Sequence, residues 1–373
     1  MTVNQLEVKN FRNIENTALE PCDGINIIYG ENAQGKTNLL ESIWLFTGCR
    51  SFRGSKDNEI INFNSRKANL YMDFTAFDRE QSASLEISEG RKFFLNGVKM
   101  KSSSQIMGEF LCVVFSPVHL SLVKEGPYER RRFLDIAISQ LKPKYGVTLS
   151  QYNKAVAQRN ILLKDVAFHS ELYETLDIWE DRIAFFGSEI IRQRLGYINK
   201  LSLYTDEIYS GLSNEREKLN IAYRQQAIIG GDNKQELYEN LKAQLYASRK
   251  NDLITGSTSV GPHRDDLSIK IDGLSARSFG SQGQQRSAAL ALKLGEAAVI
   301  KSFSGEQPVA LLDDVMSELD VNRQNYILNH IRDWQVFITC CDPANVKHLK
   351  DGKRFLMKDG TVRAEGQEPK GRV

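Results

Sequence analysis

Residues 25–37 limit what this chain can fold into more than any other part of the sequence. Residues 25–29 (INIIY) are mostly apolar and predict a buried strand. Residues 30–37 (GENAQGKT) match the G-x-x-x-x-G-K-[ST] phosphate-binding pattern without a mismatch. A helix with regularly spaced apolar residues is predicted from Thr37 to Phe46. This order of strand, loop and helix is the context that the pattern requires, so a chance match in a glycine-rich turn is the weaker interpretation.

The residue types in this loop indicate how it would bind a nucleotide. Gly30 and Gly35 keep side chains away, so that backbone N–H groups can point at phosphate oxygens, next to the positive end of the following helix. Lys36 is expected on the β- and γ-phosphates of ATP, and the Thr37 hydroxyl on Mg²⁺. The residues predicted to bind nucleotide here are Gly30, Glu31, Asn32, Ala33, Gln34, Gly35, Lys36 and Thr37.

A second apolar stretch, residues 308–312, predicts a buried parallel strand that ends in two carboxylates. In nucleoside triphosphatase sites the first acid of such a pair holds the Mg²⁺ shell, and the next residue orients or deprotonates the attacking water. We therefore assign Asp313 to the metal and Asp314 to the water. The alternative is that the two acids only cap the helix that follows.

A third feature is the sequence Ser281-Gln282-Gly283-Gln284 at the start of an alanine-rich helix predicted over residues 284–300. Ser281, Gly283 and Gln284 could form a second anion site with the free N–H groups of the helix start. A monomer needs only one such site for the γ-phosphate. Two copies arranged head to tail would let Ser281 of one copy close over the phosphate held by Lys36 of the other. Alone, Ser281 could be only an N-cap.

The rest of the chain divides by pattern. Residues 6–11 predict a strand next to residues 25–29, and residues 68–98 predict antiparallel strands. Between about residues 127 and 250 helical patterning dominates, and apolar residues from 172 to 208 repeat every 3.5 residues, with Arg194 as the polar break. This repeat predicts a long helix packed against residues 145–166. The expected parts are 1–126 and 253–373, two halves of one α/β ATPase head with a mixed and parallel sheet, and 127–252, an inserted helical arm.

Composition narrows the function. The net charge of +2 means that a DNA-binding surface would have to be local. The five cysteines lack C-x-x-C spacing, which favours reduced thiols over disulfides or a zinc site. The sequence has no signal peptide pattern and no apolar run long enough for a membrane span, so a cytoplasmic protein without a membrane partner is expected.

The order of these motifs resembles the ABC-type ATPases of the SMC class. In detail the chain is similar to the RecF family of bacterial DNA replication and repair proteins, the recombination mediators. The residues that carry this resemblance are 10–13 (NFRN), 261–266 (GPHRDD), 281–286 (SQGQQR) and 317–320 (SELD). In family terms, residues 30–37 would be the Walker A motif, Ser281 the signature serine, Asp313 and Asp314 the Walker B acids, and residues 317–320 the D-loop.

The resemblance implies an ATP-dependent homodimer that binds gapped or junction DNA. It further implies recombinase loading together with RecO and RecR, support of the SOS response, and slow, DNA-stimulated ATP hydrolysis. Thr339 falls where transporter-type relatives have a switch histidine, so the γ-phosphate sensor is not assigned. The alternative functions are the motor subunit of an ABC transporter or another SMC-like ATPase. A monomeric P-loop kinase or GTPase is disfavoured because no base-reading Asn/Thr-Lys-x-Asp element occurs.

Three groups of residues have two interpretations each. Residues 130–132 (RRR) could track DNA phosphates or form a solvated helix face. His263 and Arg264 could contact a phosphate or make a structural corner with Asp265 or Asp266. The basic residues of loop 48–57 could contact nucleotide or DNA, or be a solvated connection; they are Arg50, Arg53 and Lys56.

Overall fold

The computed structural model describes residues 1–166, 168–226, 230–231, 233–341 and 352–365. The chain forms two compact units, one of Met1–Leu120 with Leu292–Val373 and one of Ser121–Ala291. The domain boundaries predicted from the sequence of this chain, at 126/127 and 252/253, stay predictions.

The described residues contain 15 strands and nine α-helices. The strands are β1 (Thr2–Phe11), β2 (Ile14–Leu19), β3 (Ile25–Tyr29), β4 (Ala68–Ala76), β5 (Arg79–Ile87), β6 (Arg91–Leu95), β7 (Val98–Lys99), β8 (Cys112–Phe115), β9 (Leu219–Arg224), β10 (Asp266–Ile271), β11 (Leu274–Ser275), β12 (Val309–Asp313), β13 (Val336–Cys340), β14 (Lys353–Lys358) and β15 (Thr361–Ala364). The helices are α1 (Lys36–Trp44), α2 (Ser121–Lys124), α3 (Pro127–Leu141), α4 (Pro143–Asp165), α5 (Leu176–Ser213), α6 (Lys234–Thr255), α7 (Ala276–Phe279), α8 (Gln282–Ser304) and α9 (Val321–His330).

The first unit contains a mixed sheet with the strand order β15-β14-β3-β13-β12-β8. Strands β14, β3, β13, β12 and β8 are parallel to their neighbours, and β15 is antiparallel to β14. Every residue of β12 and β13 is buried, as expected for parallel strands covered on both faces. The carboxyl ends of β3, β12 and β13 lie at one edge of the sheet, where open α/β sheets bind ligands. The predicted α/β fold with a mixed and parallel sheet is confirmed.

A second sheet in the first unit is antiparallel, with the order β2-β1-β4-β5-β6-β7. The predicted pairing of residues 6–11 with residues 25–29 is wrong, because β1 pairs with β2 and β4. The sequence analysis missed β2, which forms a hairpin with β1 and buries Ile14 and Leu19. Strand β1 therefore pairs with the strand that follows it directly in the chain.

The second unit contains the predicted long helix, α5, which packs against α4 and α6. The polar break in its apolar seam, Arg194, is buried and satisfied. Its guanidinium donates to Asp135 Oδ1 at 2.8 Å and to the Pro262 carbonyl at 2.6 Å. A buried charge needs such partners, so the seam continues through an ion pair. Strands β9, β10 and β11 form a small antiparallel sheet, with the predicted turn at Asp272-Gly273.

Within the described residues no helix is both long enough and apolar enough to cross a bilayer.

Candidate functional site

Lys36 reaches back over the loop that precedes it. Its ammonium group donates to the carbonyls of Gly30 at 2.6 Å and Glu31 at 2.8 Å, and lies 3.8 Å from the Cys341 sulfur. The Cys341 thiol in turn donates to Asn32 Oδ1 at 3.0 Å. Although Lys36 is buried, its charge is therefore directed at the mouth of the loop at the start of α1. A cation and free helix N–H groups at one point are suited to an anionic phosphate chain.

The two loop glycines have a packing role in addition to the one predicted. A Cβ on Gly30 would lie 2.2 Å from the Met357 carbonyl oxygen. A Cβ on Gly35, where φ is +112°, would lie 2.7 Å from Asn13 Oδ1 and 2.8 Å from Met357 Cε. Met357 belongs to β14, so any side chain at either glycine would push the loop away from the β14–β15 hairpin.

The same hairpin and Asn13 hold the loop by hydrogen bonds. The amide of Gly360 donates to the Gln34 carbonyl at 3.1 Å, and the amide of Asp359 donates to Gln34 Oε1 at 2.6 Å. The Asn13 side chain donates to the Ala33 carbonyl at 3.2 Å. These bonds fix the conformation of the loop from outside, which leaves its inner surface to a ligand.

The structure brings together Thr37, Asp313, Thr339 and Asp314. The Thr37 hydroxyl donates to Asp313 Oδ1 at 2.7 Å, and the Thr339 hydroxyl donates to the same oxygen at 3.0 Å. The Thr339 oxygen accepts the backbone N–H of Asp314 at 2.9 Å. Thr339 is opposite Asp313 in the β12–β13 register, which explains the contact. The two residues predicted for Mg²⁺ are thus in direct contact.

The environment of the two acids differs. Burial raises the pKa of Asp313, whereas the hydrogen bonds from Thr37 and Thr339 act to lower it. A bound divalent cation would favour the ionised form. Asp314 has φ of +51°, a left-handed conformation that is unusual for a residue with a side chain. Backbone strain of this kind occurs at functional sites where surrounding contacts hold it in place.

Neither acid caps a helix. The N-cap of α9 is Asp320, which accepts from the amide of Arg323 at 3.0 Å. Asp314 instead accepts from the Ser317 hydroxyl, at 2.9 Å on its carbonyl and 3.0 Å on Oδ1. Ser317 is the first residue of the expected D-loop. The capping alternative for Asp313 and Asp314 is therefore wrong.

Ser281 is exposed at the start of α8 and does form an N-cap. The amide of Gln284 donates to Ser281 Oγ at 3.2 Å, and the amide of Ser281 donates to Gln284 Oε1 at 2.7 Å, which is a capping box. Gln284 also donates to Glu217 Oε1 at 2.7 Å. The cap does not exclude the predicted anion role, because the hydroxyl remains at the solvent-facing helix start; that role stays a prediction.

The three arginines of α3 do not form a solvated face: Arg130 is buried, whereas Arg131 and Arg132 are half-buried, and DNA contact by these two stays a prediction. Arg130 is buried and donates to both carboxylate oxygens of Asp266, at 2.6 and 2.9 Å. Arg131 donates to the Asp265 carbonyl at 2.7 Å, and Arg132 lies 3.5 Å from Glu129. Runs of like charge in a sequence do not reveal such partners, which here are up to 136 residues away.

His263 and Arg264 have a structural role with partners other than those predicted. His263 Nδ1 shares a hydrogen bond of 2.6 Å with the Tyr152 hydroxyl, and Nε2 lies 3.1 Å from the Thr258 carbonyl. Arg264 donates to the same carbonyl at 3.0 and 2.9 Å. Burial lowers the pKa of His263 to about 4, so the ring is neutral at physiological pH.

In loop 48–57, Arg53 donates to Asn38 Oδ1 at 2.9 Å and lies 3.9 Å from the buried Glu41 of α1. Arg12 donates to both oxygens of Glu41, at 2.6 and 3.0 Å. The loop is thus attached to the first helix of the site rather than being a free connection.

Several residues shape this site in roles that the sequence did not predict. They are Asn13, Met357, Asp359 and Gly360 around the loop, and Thr339 as the link between the two acids. The Asp359-Gly360 pair between two alternating stretches is a hairpin signal that could have revealed β14 and β15. The contact of Thr339 with Asp313 depends on strand order, for which the sequence has no local signal.

Comparisons with known proteins agree with this geometry. A family model described as the RecF/RecN/SMC N terminal domain matches residues 2–363. A DNA replication and repair protein RecF from Acetivibrio thermocellus is 39% identical over 358 residues, which cover 95% of this chain and 96% of that protein. The protein of the same description from Ruminiclostridium cellulolyticum is 40% identical over 362 residues, covering 96% and 97%.

Solved structures give the same result. A structure described as the recombination mediator protein RecF-ATPrS in the RecFOR pathway superposes with a TM-score of 0.92 at 39% identity, covering 98% of both chains. An Smc head domain from Pyrococcus furiosus matches with a TM-score of 0.53 at 18% identity, covering 97% of this chain and 95% of that one. The second similarity supports the fold alone.

Proposed function

This chain belongs to the RecF family of DNA replication and repair proteins, and we propose on that basis that it is an ATP-dependent DNA-binding protein of recombinational repair and replication-fork maintenance. The observation that carries the proposal is the meeting of Thr37 and Asp313, 276 residues apart in sequence, beside a loop that carries Lys36 at its mouth. A solved relative of 40% identity is described as the recombination mediator protein RecF-ATP.

The residues present fit ATP and Mg²⁺. The loop amides of residues 30–35 and the Lys36 ammonium would hold the phosphates, and Thr37 with Asp313 would hold the metal through hydroxyl and carboxylate oxygens, which Mg²⁺ prefers. The metal, when bound, neutralises phosphate charge during transfer. Asp314 would orient the attacking water, and Thr339 keeps Asp313 and the Asp314 backbone in place through its two hydrogen bonds.

We also propose that ATP joins two copies of the chain. Ser281, Gly283 and Gln284 begin a helix of 23 residues, and Ser281 is exposed there. The N-terminal end of a helix attracts anions, because its first backbone N–H groups are free and its dipole is positive there. In the proposed dimer, Ser281 of each copy would close over the γ-phosphate held by Lys36 of the other. Hydrolysis would be slow and stimulated by DNA, so that ATP acts mainly as a switch.

The remaining parts of the proposal come from the family. They are binding to DNA at single-strand gaps and junctions, recombinase loading with RecO and RecR, support of SOS induction, and a cytoplasmic location. A solved relative is described as a recombination mediator in the RecFOR pathway, which supports the assignment of these partners.

The experiment that tests the proposal is DNA binding with and without ATP. Gel shifts on gapped duplex, intact duplex and single strands should show ATP-dependent preference for the gapped form. Lys36→Met should remove the ATP effect, because it deletes the only charge aimed at the phosphates from the described loop residues. Lys99→Met, at an exposed lysine of β7, is the matched control and should bind like wild type. Equal indifference to all DNA forms, with or without ATP, would favour a transporter motor instead.

A further inference from the structure

Phe63 is an aromatic residue with no contact to cover it. Its relative exposure is 103%, so the whole ring faces solvent. Burial of a phenylalanine side chain normally contributes to stability, and this ring contributes nothing of that kind to the fold. A single exposed apolar residue is ordinary on a mobile tip, so the rigidity of its backbone decides whether it means more.

The backbone around Phe63 is held on both sides. The amide of Asn62 donates to the Asn10 carbonyl at 2.9 Å, and its side chain donates to the Arg12 carbonyl at 2.7 Å. Asn62 Oδ1 accepts from the amide of Asn64 at 2.9 Å, and the Asn62 carbonyl accepts from the amide of Ser65 at 2.9 Å. Asn62 itself is buried. The backbone that carries the Phe63 ring is therefore held in a fixed position.

The surroundings of the ring are polar and basic. Asn62, Asn64 and Ser65 flank it, and Arg66 and Lys67 follow, both exposed. Lys67 lies 3.2 Å from Glu86, whereas no ion pair of Arg66 occurs within the described part of the chain. The exposed Phe77 lies beyond the other end of β4, about 30 Å away for nine residues of strand. A protein-docking surface needs a contiguous apolar patch of at least a few hundred square ångströms, and a single ring does not provide one.

An aromatic ring on a fixed backbone, next to a cation that has no ion pair within the described residues, is the arrangement that proteins use for single-stranded nucleic acid, in which a base stacks on the ring and cations contact the phosphates. We propose that Phe63 stacks against an unpaired DNA base and that Arg66 contacts the adjoining phosphate. This inference rests on the DNA binding proposed above and adds the site at which the single-stranded part is held.

The position of this loop also connects it to the nucleotide site. Asn62 is bonded to residues 10 and 12, and Asn13 in the same turn donates to the Ala33 carbonyl of the phosphate loop at 3.2 Å. Asn38, the residue after Thr37, donates to Asn13 Oδ1 at 2.8 Å. A base stacked on Phe63 would therefore lie on a loop that is hydrogen-bonded to the turn of residues 10–13, which in turn contacts the phosphate loop.

The test uses the full chain with ATP and a gapped duplex carrying 2-aminopurine at its unpaired positions. Phe63→Ala should weaken binding about 5- to 150-fold, the range for loss of one base stack, and should relieve the quenching of 2-aminopurine. Phe63→Trp should bind like wild type. Phe63→Leu keeps an apolar side chain without an aromatic face and should behave like Phe63→Ala. Phe77→Ala, at the other exposed phenylalanine of this sheet, is the matched control and should have no effect.

A second measurement concerns charge. Arg66→Gln should make the slope of log K against log salt concentration shallower by about 0.7 for a single-strand contact.

Wild-type affinity of Phe63→Ala, or full binding by Phe63→Leu, overturns the stacking site while leaving the proposed function intact. A wild-type protein that binds no DNA in any nucleotide state overturns both.

Discussion

Replacing Thr339 with valine tests the link between the two acids of the site. Valine has the shape of threonine with a methyl group in place of the hydroxyl, so the packing of this buried residue changes little. The change removes the hydrogen bond to Asp313 Oδ1 and the acceptor for the Asp314 amide. A hydrogen bond to a charged group contributes about 1.5–3 kcal/mol, and an unsatisfied buried amide costs about 1–3 kcal/mol. The Asp314 amide is only partly buried, so water can replace part of its lost hydrogen bond. We therefore expect a decrease of about 2–4 kcal/mol in the free energy of unfolding.

The effect should depend on pH. The folded-state pKa of Asp313 is raised by burial, so the folded state loses stability as pH rises through that pKa and the buried carboxylate becomes charged. The Thr339 hydroxyl lowers this pKa, and its loss raises the pKa further. The valine variant should therefore be more destabilised at neutral than at acid pH, and its acid limb of ATP hydrolysis should move to higher pH.

Urea unfolding at several pH values and the pH profile of ATP hydrolysis measure these two effects. Thr339→Ser keeps the hydroxyl and is the control; it should retain the wild-type pH profile and lose only the small contribution of one methyl group. A valine variant within about 0.5 kcal/mol of wild type, the range of ordinary neutral substitutions, with an unchanged pH profile would refute the role given to Thr339.

Three further predictions concern other parts of the molecule. Ser281→Arg should leave ATP binding intact and abolish ATP-driven dimerisation in light scattering, and normal dimerisation would refute the role of Ser281 across the interface. Ser281→Ala removes the hydroxyl and the N-cap, at a cost of about 1 kcal/mol, without adding bulk, so it should weaken dimerisation less than Ser281→Arg. Asp314→Asn should accumulate an ATP-bound dimer in sizing experiments, and unchanged turnover would show that another group positions the water. His263 has a folded pKa of about 4 against about 6.5 when unfolded, so the unfolded state binds more protons between these values and stability should fall by up to about 3 kcal/mol as pH drops through this window. His263→Gln should have a flatter dependence in thermal unfolding followed over pH, and a curve as steep as that of wild type would assign the effect to other groups.

Much of the fold was predicted because its signals are local. The spacing of Gly30, Gly35 and Lys36, the apolar run before Asp313, and the 3.5-residue repeat of α5 each involve residues that are close together in the sequence. Local backbone geometry and burial of one face suffice to produce such patterns. The N-cap at Ser281, given as an alternative from the sequence, is likewise local, because its partner Gln284 is only three positions away.

The sequence by itself determined the strand and helix that flank the phosphate loop, the strand before Asp313 and the long helix α5, since each follows from neighbouring residues. Only the tertiary structure decided that β1 pairs with β2 and β4, that Arg130 pairs with Asp266, and that Thr339 connects Asp313 to the Asp314 backbone. It also decided that Met357 packs against Gly30 and Gly35, more than 300 residues away in the chain. The physical reason is that one carboxylate, hydroxyl or apolar side chain can serve equally well at many positions, so its partner is chosen by strand order and burial, which the whole chain sets together.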